Sequence, residues 1–317
     1  MQELTEDNSS SYNKQYVNAM VHAVQKENRN FGKSQKGFVW PEGAAVLLRP
    51  FLYDYPLKGG KRMPEQCTVP EVLEAFFQKH RRIAIAFSGG TDSAYLLYAA
   101  NYCGCEVCAY YVHSQFQPRF ELEDAKKLAG QLGVPMVVLE VDVLSVPEIA
   151  ANPENRCYYC KHALFARILD AAQRDGFPIL CDGTNATDDA GDRPGMRALR
   201  ELSVHSPLRE CGIGKPEVRV LSKKAGLFTW NKPAYACLAT RMEAGTAIEA
   251  DMLKKVEHAE QALMEMGFSD LRVRIFHGAA RLQLPESQYS LALQKHREIT
   301  SALQPDFPVI MLDLNPR

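Results

Sequence analysis

The chain has 317 residues, 46% hydrophobic and 24% charged, which is typical of a globular protein large enough for two domains. Lys and Arg total 37 and Asp and Glu total 38, so the net charge of −1 argues against a protein that binds nucleic acid through an overall basic surplus. No apolar run reaches the roughly 18 residues of a membrane helix, and the polar N-terminus lacks the apolar core of a signal peptide. We therefore expect a cytoplasmic protein that contacts neither membrane nor nucleic acid.

Regular secondary structure is predicted only after an N-terminal extension, 1–65, to which we assign no function. From Val69 onward, periodicity predicts helices over 69–79, 93–102, 121–133 and about 158–174, and strands over 83–87, 106–112, 135–141 and 178–183. Alternation of strands and helices predicts an α/β domain, 66–236, with a parallel sheet covered on both faces.

The character of the sequence changes after about Cys237. An apolar stripe from Leu253 to Met266 predicts one helix, and strict alternation over 271–276 and 281–284 predicts strands with one exposed face. The segment 237–317 is therefore predicted to form a smaller α+β domain with an antiparallel sheet.

One strand-to-helix turn has the composition of a phosphate site: Ser88, Gly89, Gly90, Thr91, Asp92 and Ser93. The glycines let backbone N–H groups approach an anion, and the helix N-terminus adds positive potential. Asp92 is unusual beside phosphates unless Mg²⁺ bridges the two. The alternative is a turn in which Ser and Asp act only as helix caps, but the full hexapeptide in this context favours ATP phosphates.

The chain has nine cysteines, an odd number that favours reduced thiols. Cys157 and Cys160 form a CxxC motif at a helix start, where the helix N-terminus, Arg156 and Lys161 are expected to lower the thiol pKa. Together with the distant Cys237, these thiols could hold three corners of a [4Fe–4S] cluster. Spacing alone leaves open that they are unrelated buried thiols. The remaining cysteines of the predicted domains are interpreted as structural.

The chain from about Val69 to Leu314 resembles the LarE family of ATP-dependent sulfur transferases, which belong to the PP-loop ATP pyrophosphatases. The matching segments, in order, are AFSGGTDS, NRCYYCK, DGTNATDDAGDRPGMRA, TWNKPAYACLATR, MGFSDLRVRIFHGAARLQLPE and a terminal LDL. The resemblance implies a Rossmann-like parallel sheet of the adenine nucleotide alpha hydrolase type. It also implies a smaller C-terminal domain for substrate binding and oligomerisation, and hence a homo-oligomer.

The resemblance further implies a reaction. Family members use ATP and Mg²⁺ to adenylate a carboxylate of pyridinium biscarboxylate mononucleotide, a small anionic nucleotide, and then replace AMP by sulfur on the way to a nickel-pincer cofactor. In some members a cysteine at the position of Cys237 gives up its own sulfur. In others three cysteines hold a [4Fe–4S] cluster that accepts sulfur from sulfide or another donor. Because Cys157, Cys160 and Cys237 are all present, the cluster type is the better match.

Other site residues are assigned by matching the family motifs. Asp92 and Cys237 are assigned catalytic roles, and the nucleotide site is extended by Asp182, Arg193 and Arg197. The substrate site is assigned to Arg241, Glu260, Arg272 and Arg274. The alternatives are a surface ion pair for Arg193 and Arg197, and a solvated helix face for Glu260.

Several functional alternatives remain open at this point. A departure from the family pattern at Met242-Glu243-Ala244-Gly245, and the absence of the family tail after Asn315, leave a related carboxylate or nucleotide possible. A tRNA thiolase also joins a PP-loop to three cysteines, although the near-neutral charge argues against it. A non-catalytic nucleotide or cluster sensor is the third class, and the intact Asp92 argues against that.

Overall fold

The computed structural model describes residues 69–188 and 194–317, and the predicted N-terminal extension lies outside these residues. The first part of the described chain follows the predicted alternation of strands and helices. Its longer elements are α1 (Glu71–Lys79), β1 (Arg82–Ala86), α2 (Thr91–Tyr102), β2 (Glu106–His113), α3 (Arg119–Leu132), β3 (Met136–Glu140), α4 (Pro147–Ala150), α5 (Arg156–Arg174), β4 (Leu180–Cys181), α6 (Pro194–Glu201), α7 (Pro207–Glu210) and α8 (Lys215–Lys224).

Strands β1 to β4 form one parallel sheet in the order β3-β2-β1-β4. Ile83 of β1 lies opposite Val107 of β2, and Ala109 of β2 lies opposite Met136 of β3. This sheet confirms the predicted α/β fold class. A parallel sheet presents the carboxyl ends of all its strands at one edge, which is where ligands bind in such folds.

Both faces of the parallel sheet are buried, because successive side chains of a strand point to opposite sides. Ile83 and Ile85 join a core with α1, α2, α3 and α8, whereas Ala84 joins a second core with α5. Helix α2, which starts at the predicted phosphate loop, is buried over most of its length. The phosphate loop therefore stands on an element held from several sides.

The C-terminal part contains a second, smaller sheet. Its elements are α9 (Ala250–Glu265), β5 (Arg272–Phe276), β6 (Ala279–Gln283), α10 (Tyr289–Gln294), α11 (His296–Leu303) and β7 (Ile310–Leu312). Strands β5 and β6 pair antiparallel as predicted, but β7 pairs parallel with β6, so the sheet is mixed. The prediction of a wholly antiparallel sheet was wrong because β7 is too short for its period to be visible in the sequence.

The core of the second sheet includes residues from the first part of the chain. Phe116, which follows β2, and Val143, which follows β3, pack with Leu253 and Val273 in one cluster. The predicted boundary between 66–236 and 237–317 stays a prediction. Within 69–188 and 194–317, no helix combines the length and the apolar character needed to cross a bilayer.

Candidate functional site

The phosphate loop joins β1 to α2 in the geometry that an anion site needs. Gly89 has φ +72, and a Cβ there would lie 3.2 Å from the Cβ of Ala125, so a side chain would strain the backbone and crowd α3. The Ser93 hydroxyl accepts from the backbone N–H of Ser88 at 3.3 Å and lies 3.1 Å from the Ser88 hydroxyl. These contacts curl the loop over the first turn of α2, whose free N–H groups attract negative charge.

Asp92 lies in the first turn of α2 and pairs with Lys215, the first residue of α8. The distance from Lys215 Nζ to Asp92 Oδ2 is 2.5 Å. The other oxygen, Oδ1, is buried and has no hydrogen-bond partner among the described residues. Burial raises the pKa of Asp92 and the nearby Asp188 raises it further, whereas Lys215 lowers it. A buried oxygen without a donor next to a second carboxylate suits a hard cation such as Mg²⁺.

Asp182 follows β4 at the carboxyl edge of the sheet and is 5% exposed. Its carboxylate accepts from the hydroxyls of Ser206, at 2.6 Å, and Thr184. The adjacent Gly183 lies against the phosphate-loop helix, since a Cβ there would be 2.7 Å from the backbone nitrogen of Ser93. Asp182 therefore shapes the wall of the phosphate loop, and its assignment as a nucleotide ligand stays a prediction.

The two arginines assigned to the nucleotide site are Arg193 and Arg197. Arg193 lies outside the described residues. Arg197, on α6, lies 3.5 Å from Glu201 and stacks over the ring of Tyr158 at 4.0 Å. Both charges of this ion pair are about half exposed. The structure thus places Arg197 in a surface ion pair, and its role in nucleotide binding is still a prediction.

The three predicted cysteines come from two distant segments and lie near one another. Cys157 and Cys160 are in the first turn of α5, and Cys237 precedes the short 3₁₀ turn Leu238–Arg241. Cys160 and Cys237 pack against the same hydrophobic cluster, and Nη2 of Arg156, the neighbour of Cys157, lies 4.0 Å from Cys237 Sγ. All eight cysteines in the described part of the chain are free thiols. The tertiary structure therefore brings the start of α5 and the Cys237 segment together, and a shared ligand role of the three thiols stays a prediction.

The expected lowering of the thiol pKa is wrong for Cys160. Burial raises the pKa of Cys160 to about 12 and also raises the pKa of Cys237. Arg156 lowers both, but its effect is smaller than the cost of a buried thiolate. The sequence indicated the cations next to the motif but not the burial of the thiols.

Arg241 and Glu260 form a buried ion pair beneath the Cys237 segment. Arg241 donates through Nε and Nη2 to the two Glu260 oxygens at 2.8 and 2.9 Å, and both side chains are at most 1% exposed. Arg241 Nη1 also donates to the carbonyl oxygens of Ala236, at 2.8 Å, and Cys237, at 3.2 Å. Glu260 is therefore not on a solvated face, and the pair fixes the backbone that carries Cys237. Substrate contact by either residue stays a prediction.

Arg272 and Arg274 share one face of β5, as predicted, and both donate to the same segment. Arg272 Nη2 donates to the carbonyl oxygen of Ala234, and Arg274 Nη1 donates to that of Thr240, each at 2.6 Å. Burial, reinforced by the positive charge of Arg241, lowers the pKa of Arg272 to about 10. In this arrangement the guanidinium groups hold backbone carbonyls on both sides of Cys237. Their assignment to substrate phosphate or carboxylate stays a prediction.

The segment that carries Cys237 also touches the phosphate loop. The Thr91 hydroxyl donates to the carbonyl oxygen of Thr229 at 2.8 Å, and the Leu238 N–H donates to the carbonyl oxygen of Phe116, just after β2, at 2.9 Å. Glu121, in the first turn of α3, feels the charges of Lys232, Arg241 and Arg272, and burial raises its pKa to about 7. A buried hydrogen bond thus joins the first turn of α2 to the segment that runs on to Cys237.

Comparisons with known proteins agree with this geometry. A family model described as "Queuosine biosynthesis protein QueC" matches residues 82–152, which include the phosphate loop. An uncharacterised protein of Synechocystis, slr1717, is 36% identical over 71% of this chain and 84% of its own length. The pyridinium-3,5-bisthiocarboxylic acid mononucleotide synthase of Lactiplantibacillus plantarum is 32% identical over 80% of this chain and 92% of its own length.

This chain belongs to the LarE family. It is an ATP-dependent sulfur transferase with a PP-loop. More distant similarity extends to tRNA-specific 2-thiouridylases, for example that of Fervidobacterium nodosum, 26% identical over 32% of this chain. These relatives share the PP-loop chemistry, whereas the LarE relative matches most of the chain.

Sequence reasoning missed several residues that contact the predicted site residues. Of these residues, Lys215 had the clearest sequence signal. A cation in the first turn of a helix is unfavourable beside the helix dipole, which indicates a specific anionic partner, and the structure shows that this partner is Asp92. Tyr235, whose hydroxyl donates to Glu260 and whose ring lies 4.6 Å from the Arg241 guanidinium, carried no comparable signal. Glu121 and Asn152, whose contacts are described below, carried no sequence signal either, because these contacts join distant segments.

The described arrangement of the three cysteines does not suit a single metal ion, and a cluster held by them stays a prediction. In the described ranges, no three His, Cys, Asp or Glu side chains are arranged to hold one metal ion. A four-iron cluster is wider than one ion, and each thiolate binds a different iron, so the sulfur atoms need not converge on one point. Metal binding also deprotonates thiols, which removes the obstacle that the raised pKa values of Cys160 and Cys237 present.

Proposed function

We propose that this LarE-family sulfur transferase converts a carboxylate of pyridinium biscarboxylate mononucleotide to a thiocarboxylate, for nickel-pincer cofactor synthesis. One observation carries the proposal: the segment leading to Cys237 contacts the phosphate-loop helix through Thr91 and Thr229, at 2.8 Å. Activation by ATP and delivery of sulfur then occur on one surface. The name of the Lactiplantibacillus plantarum relative supports the substrate, because that protein is called a synthase of the bisthiocarboxylic acid.

The first half-reaction is assigned to the phosphate loop. A substrate carboxylate oxygen attacks the α-phosphorus of ATP, the bond to the β-phosphate oxygen breaks, and pyrophosphate leaves. Loop N–H groups and the hydroxyls of Ser88 and Ser93 bind the phosphates, Lys215 adds a positive charge, and the Thr91 hydroxyl instead holds the Thr229 carbonyl oxygen. Asp92 would hold Mg²⁺ through Oδ1, with Asp188 close enough to contribute a second negative charge.

The second half-reaction is assigned to the surroundings of Cys237. A sulfur nucleophile adds to the acyl carbon of the adenylate, and AMP leaves with the electrons of the carbon–oxygen bond. Cys157, Cys160 and Cys237 would hold a [4Fe–4S] cluster, which, when bound, supplies an iron open to hydrosulfide. The buried guanidinium groups of Arg241, Arg272 and Arg274 set the position of the segment.

The test is mass spectrometry of the product formed anaerobically from ATP, sulfide and the pyridinium biscarboxylate mononucleotide. A product in which sulfur replaces one carboxylate oxygen, formed with equimolar AMP and pyrophosphate, supports the proposal. Pyrophosphate release with other small nucleotide carboxylates but not with this one would reassign the substrate. Retention of tRNA on a filter together with tRNA thiolation would favour the thiolase alternative, which the distant 2-thiouridylase relatives represent.

The source of the sulfur needs a separate measurement. Iron and sulfide analysis after anaerobic reconstitution tests the cluster, and intact mass after one turnover tests the sacrificial route. Loss of one sulfur from Cys237, which leaves dehydroalanine, would replace the cluster by the sacrificial route without changing the reaction. The expected homo-oligomer is tested by the native mass of the same preparation.

A further inference from the structure

The turn that precedes α5 contains a buried residue in a left-handed backbone conformation. Asn152 has φ +53 and is 2% exposed. Four non-glycine residues of the described chain have positive φ, and Asn152 is the buried one, since Ser203, Asp270 and His277 are exposed. Asn is among the few side chains that tolerate this conformation. Packing alone does not require an amide at this position, so the role of Asn152 follows from the hydrogen bonds of its side chain.

Both ends of the Asn152 amide are used, and they point to different segments. Nδ2 donates to the carbonyl oxygen of Glu243 at 2.8 Å, and Oδ1 accepts from Nη1 of Arg156. The backbone carbonyl of Asn152 accepts from the N–H of Gly245 at 2.8 Å. Asn152 therefore joins the start of α5, which carries Cys157 and Cys160, to the loop at Met242–Gly245 that departs from the family pattern.

Arg156 continues this connection to Cys237. It is 7% exposed, and Nη1 donates to the carbonyl oxygen of Ala239 at 3.0 Å, while Nη2 lies 4.0 Å from Cys237 Sγ. Within residues 69–188 and 194–317, no carboxylate lies within ion-pair distance of Arg156. A buried cation without a carboxylate is stabilised by carbonyl oxygens, here that of Ala239, and the second arm of the guanidinium faces the Cys237 sulfur. The guanidinium is thus directed at the sulfur site.

We propose that Asn152 and Arg156 are positioning residues for sulfur transfer, which hold Cys237 in register with Cys157 and Cys160. The inference rests on the proposed function, because it assigns these residues to the sulfur step and not to the adenylation step. Asn meets three requirements at once: it tolerates positive φ, donates to Glu243 and accepts from Arg156. Gly meets only the first, and Asp lacks the donor.

The principal test variant is Asn152→Gly, which keeps the backbone conformation and removes the amide. Arg156→Lys keeps the charge and removes the forked geometry, so it serves as a second variant if the first does not fold. The matched control is Asn155→Gly, three residues along the same turn, where the side chain makes no capping hydrogen bond. Circular dichroism establishes that each full-length protein is folded before the other measurements.

The first measurement uses metal-free protein and needs no activity. Dibromobimane, which joins two neighbouring thiols, is added, and mass spectrometry quantifies the peptide pair that links Cys160 to Cys237. We expect the yield to fall about tenfold in Asn152→Gly and Arg156→Lys, as is typical when residues that orient ligands are lost, and to stay unchanged in Asn155→Gly. A wild-type yield in both test variants overturns the inference.

The second measurement separates the two half-reactions in a single turnover of the reconstituted protein. We expect thiocarboxylate formation to fall about tenfold in the two test variants while pyrophosphate formation stays within about twofold of wild type. Equal loss of both overturns the positioning role, because it indicates a general structural effect. If the wild type itself forms pyrophosphate but no thiocarboxylate, the proposed function fails, and the thiol-linking result still decides the inference.

Discussion

The phosphate loop and the proposed sulfur site, which consists of Cys157, Cys160 and Cys237, are built in opposite ways. The phosphate loop is six consecutive residues whose anion-binding groups lie within one turn, as the hydrogen bond between Ser88 and Ser93 shows, although Thr91 and Asp92 also contact distant segments. The sulfur site joins α5 to a segment about eighty positions away, and arginines from both regions and from β5 hold it. The comparison shows that a backbone-based anion site can be encoded locally, whereas a site made of thiols depends on the packing of distant elements.

Replacing Cys237 should have the largest effect, because it should stop sulfur transfer and leave adenylation intact. In Cys237→Ala we expect thiocarboxylate formation to fall at least about a thousandfold, as when a reacting group is removed, while one pyrophosphate per protein still forms. Rapid-quench assays of both products measure this. Cys211→Ala, at a partly exposed cysteine of the other core, is the control and should keep wild-type rates. Loss of pyrophosphate formation in Cys237→Ala would mean that the two sites are not separable.

Asp92→Asn tests the phosphate loop. We expect pyrophosphate formation to slow by about 10² to 10³, because the variant loses the charge beside Oδ1 and the ion pair with Lys215. Titration of the rate with Mg²⁺ should show a higher half-saturating concentration. The thiol-linking yield of Cys160 and Cys237 should stay at the wild-type value, and a fall in that yield would contradict a locally built phosphate site.

Glu260→Gln tests how strongly the sulfur site depends on tertiary structure. The change leaves the buried Arg241 guanidinium without its carboxylate, and we expect the free energy of unfolding to fall by about 3 kcal/mol. Urea denaturation monitored by circular dichroism measures the effect. The control is Glu298→Gln, in an exposed ion pair with Lys295, which should cost less than about 1 kcal/mol. Similar losses in both variants would contradict a structural role of the buried pair.

Glu121 lies where the two regions meet, and its raised pKa predicts a pH dependence of stability. Burial raises the pKa to about 7 from an ordinary value of 4.5, so the folded state binds more protons than the unfolded state between these values. The contribution of Glu121 to stability is therefore complete below about pH 4.5 and is lost as the pH rises through about 7.

Raising the pH from 5 to 8 should destabilise wild type relative to Glu121→Gln. The difference between their free energies of unfolding should change by about 2 kcal/mol. Urea denaturation at both pH values measures this shift. Glu123→Gln, at an exposed position paired with Arg119, should show a shift close to zero. A constant difference between wild type and Glu121→Gln would show that the carboxylate does not titrate in this range.

Arg197→Ala should give the smallest effect on stability. Its ion pair with Glu201 is about half exposed, so we expect the free energy of unfolding to change by less than about 1 kcal/mol. A rise in the KM for ATP would support the predicted role of Arg197 in nucleotide binding. An unchanged KM would leave Arg197 as a surface residue that stacks on Tyr158.

Much of the fold follows from patterns that extend over a few residues. The strands β1, β2 and β3 and the helices α2, α3 and α5 lie within a few residues of their predicted ranges, because burial on both faces gives continuous apolar runs. The short strand β7 and its parallel pairing were not predicted, because three residues carry no measurable period. The expected pKa of Cys160 was wrong for a related reason, since burial is a property of the packed chain.

The sequence by itself determined the phosphate loop, because its glycines, hydroxyls and helix N-terminus act through backbone geometry within one turn. It also named the three cysteines, but not their proximity. The tertiary structure decided that the start of α5, with Cys157 and Cys160, lies beside the Cys237 segment, and that Arg241, Arg272 and Arg274 hold carbonyl oxygens on both sides of Cys237. Such hydrogen bonds join residues that are distant in the chain, so their existence depends on the packing of both sheets and cannot be read from local sequence.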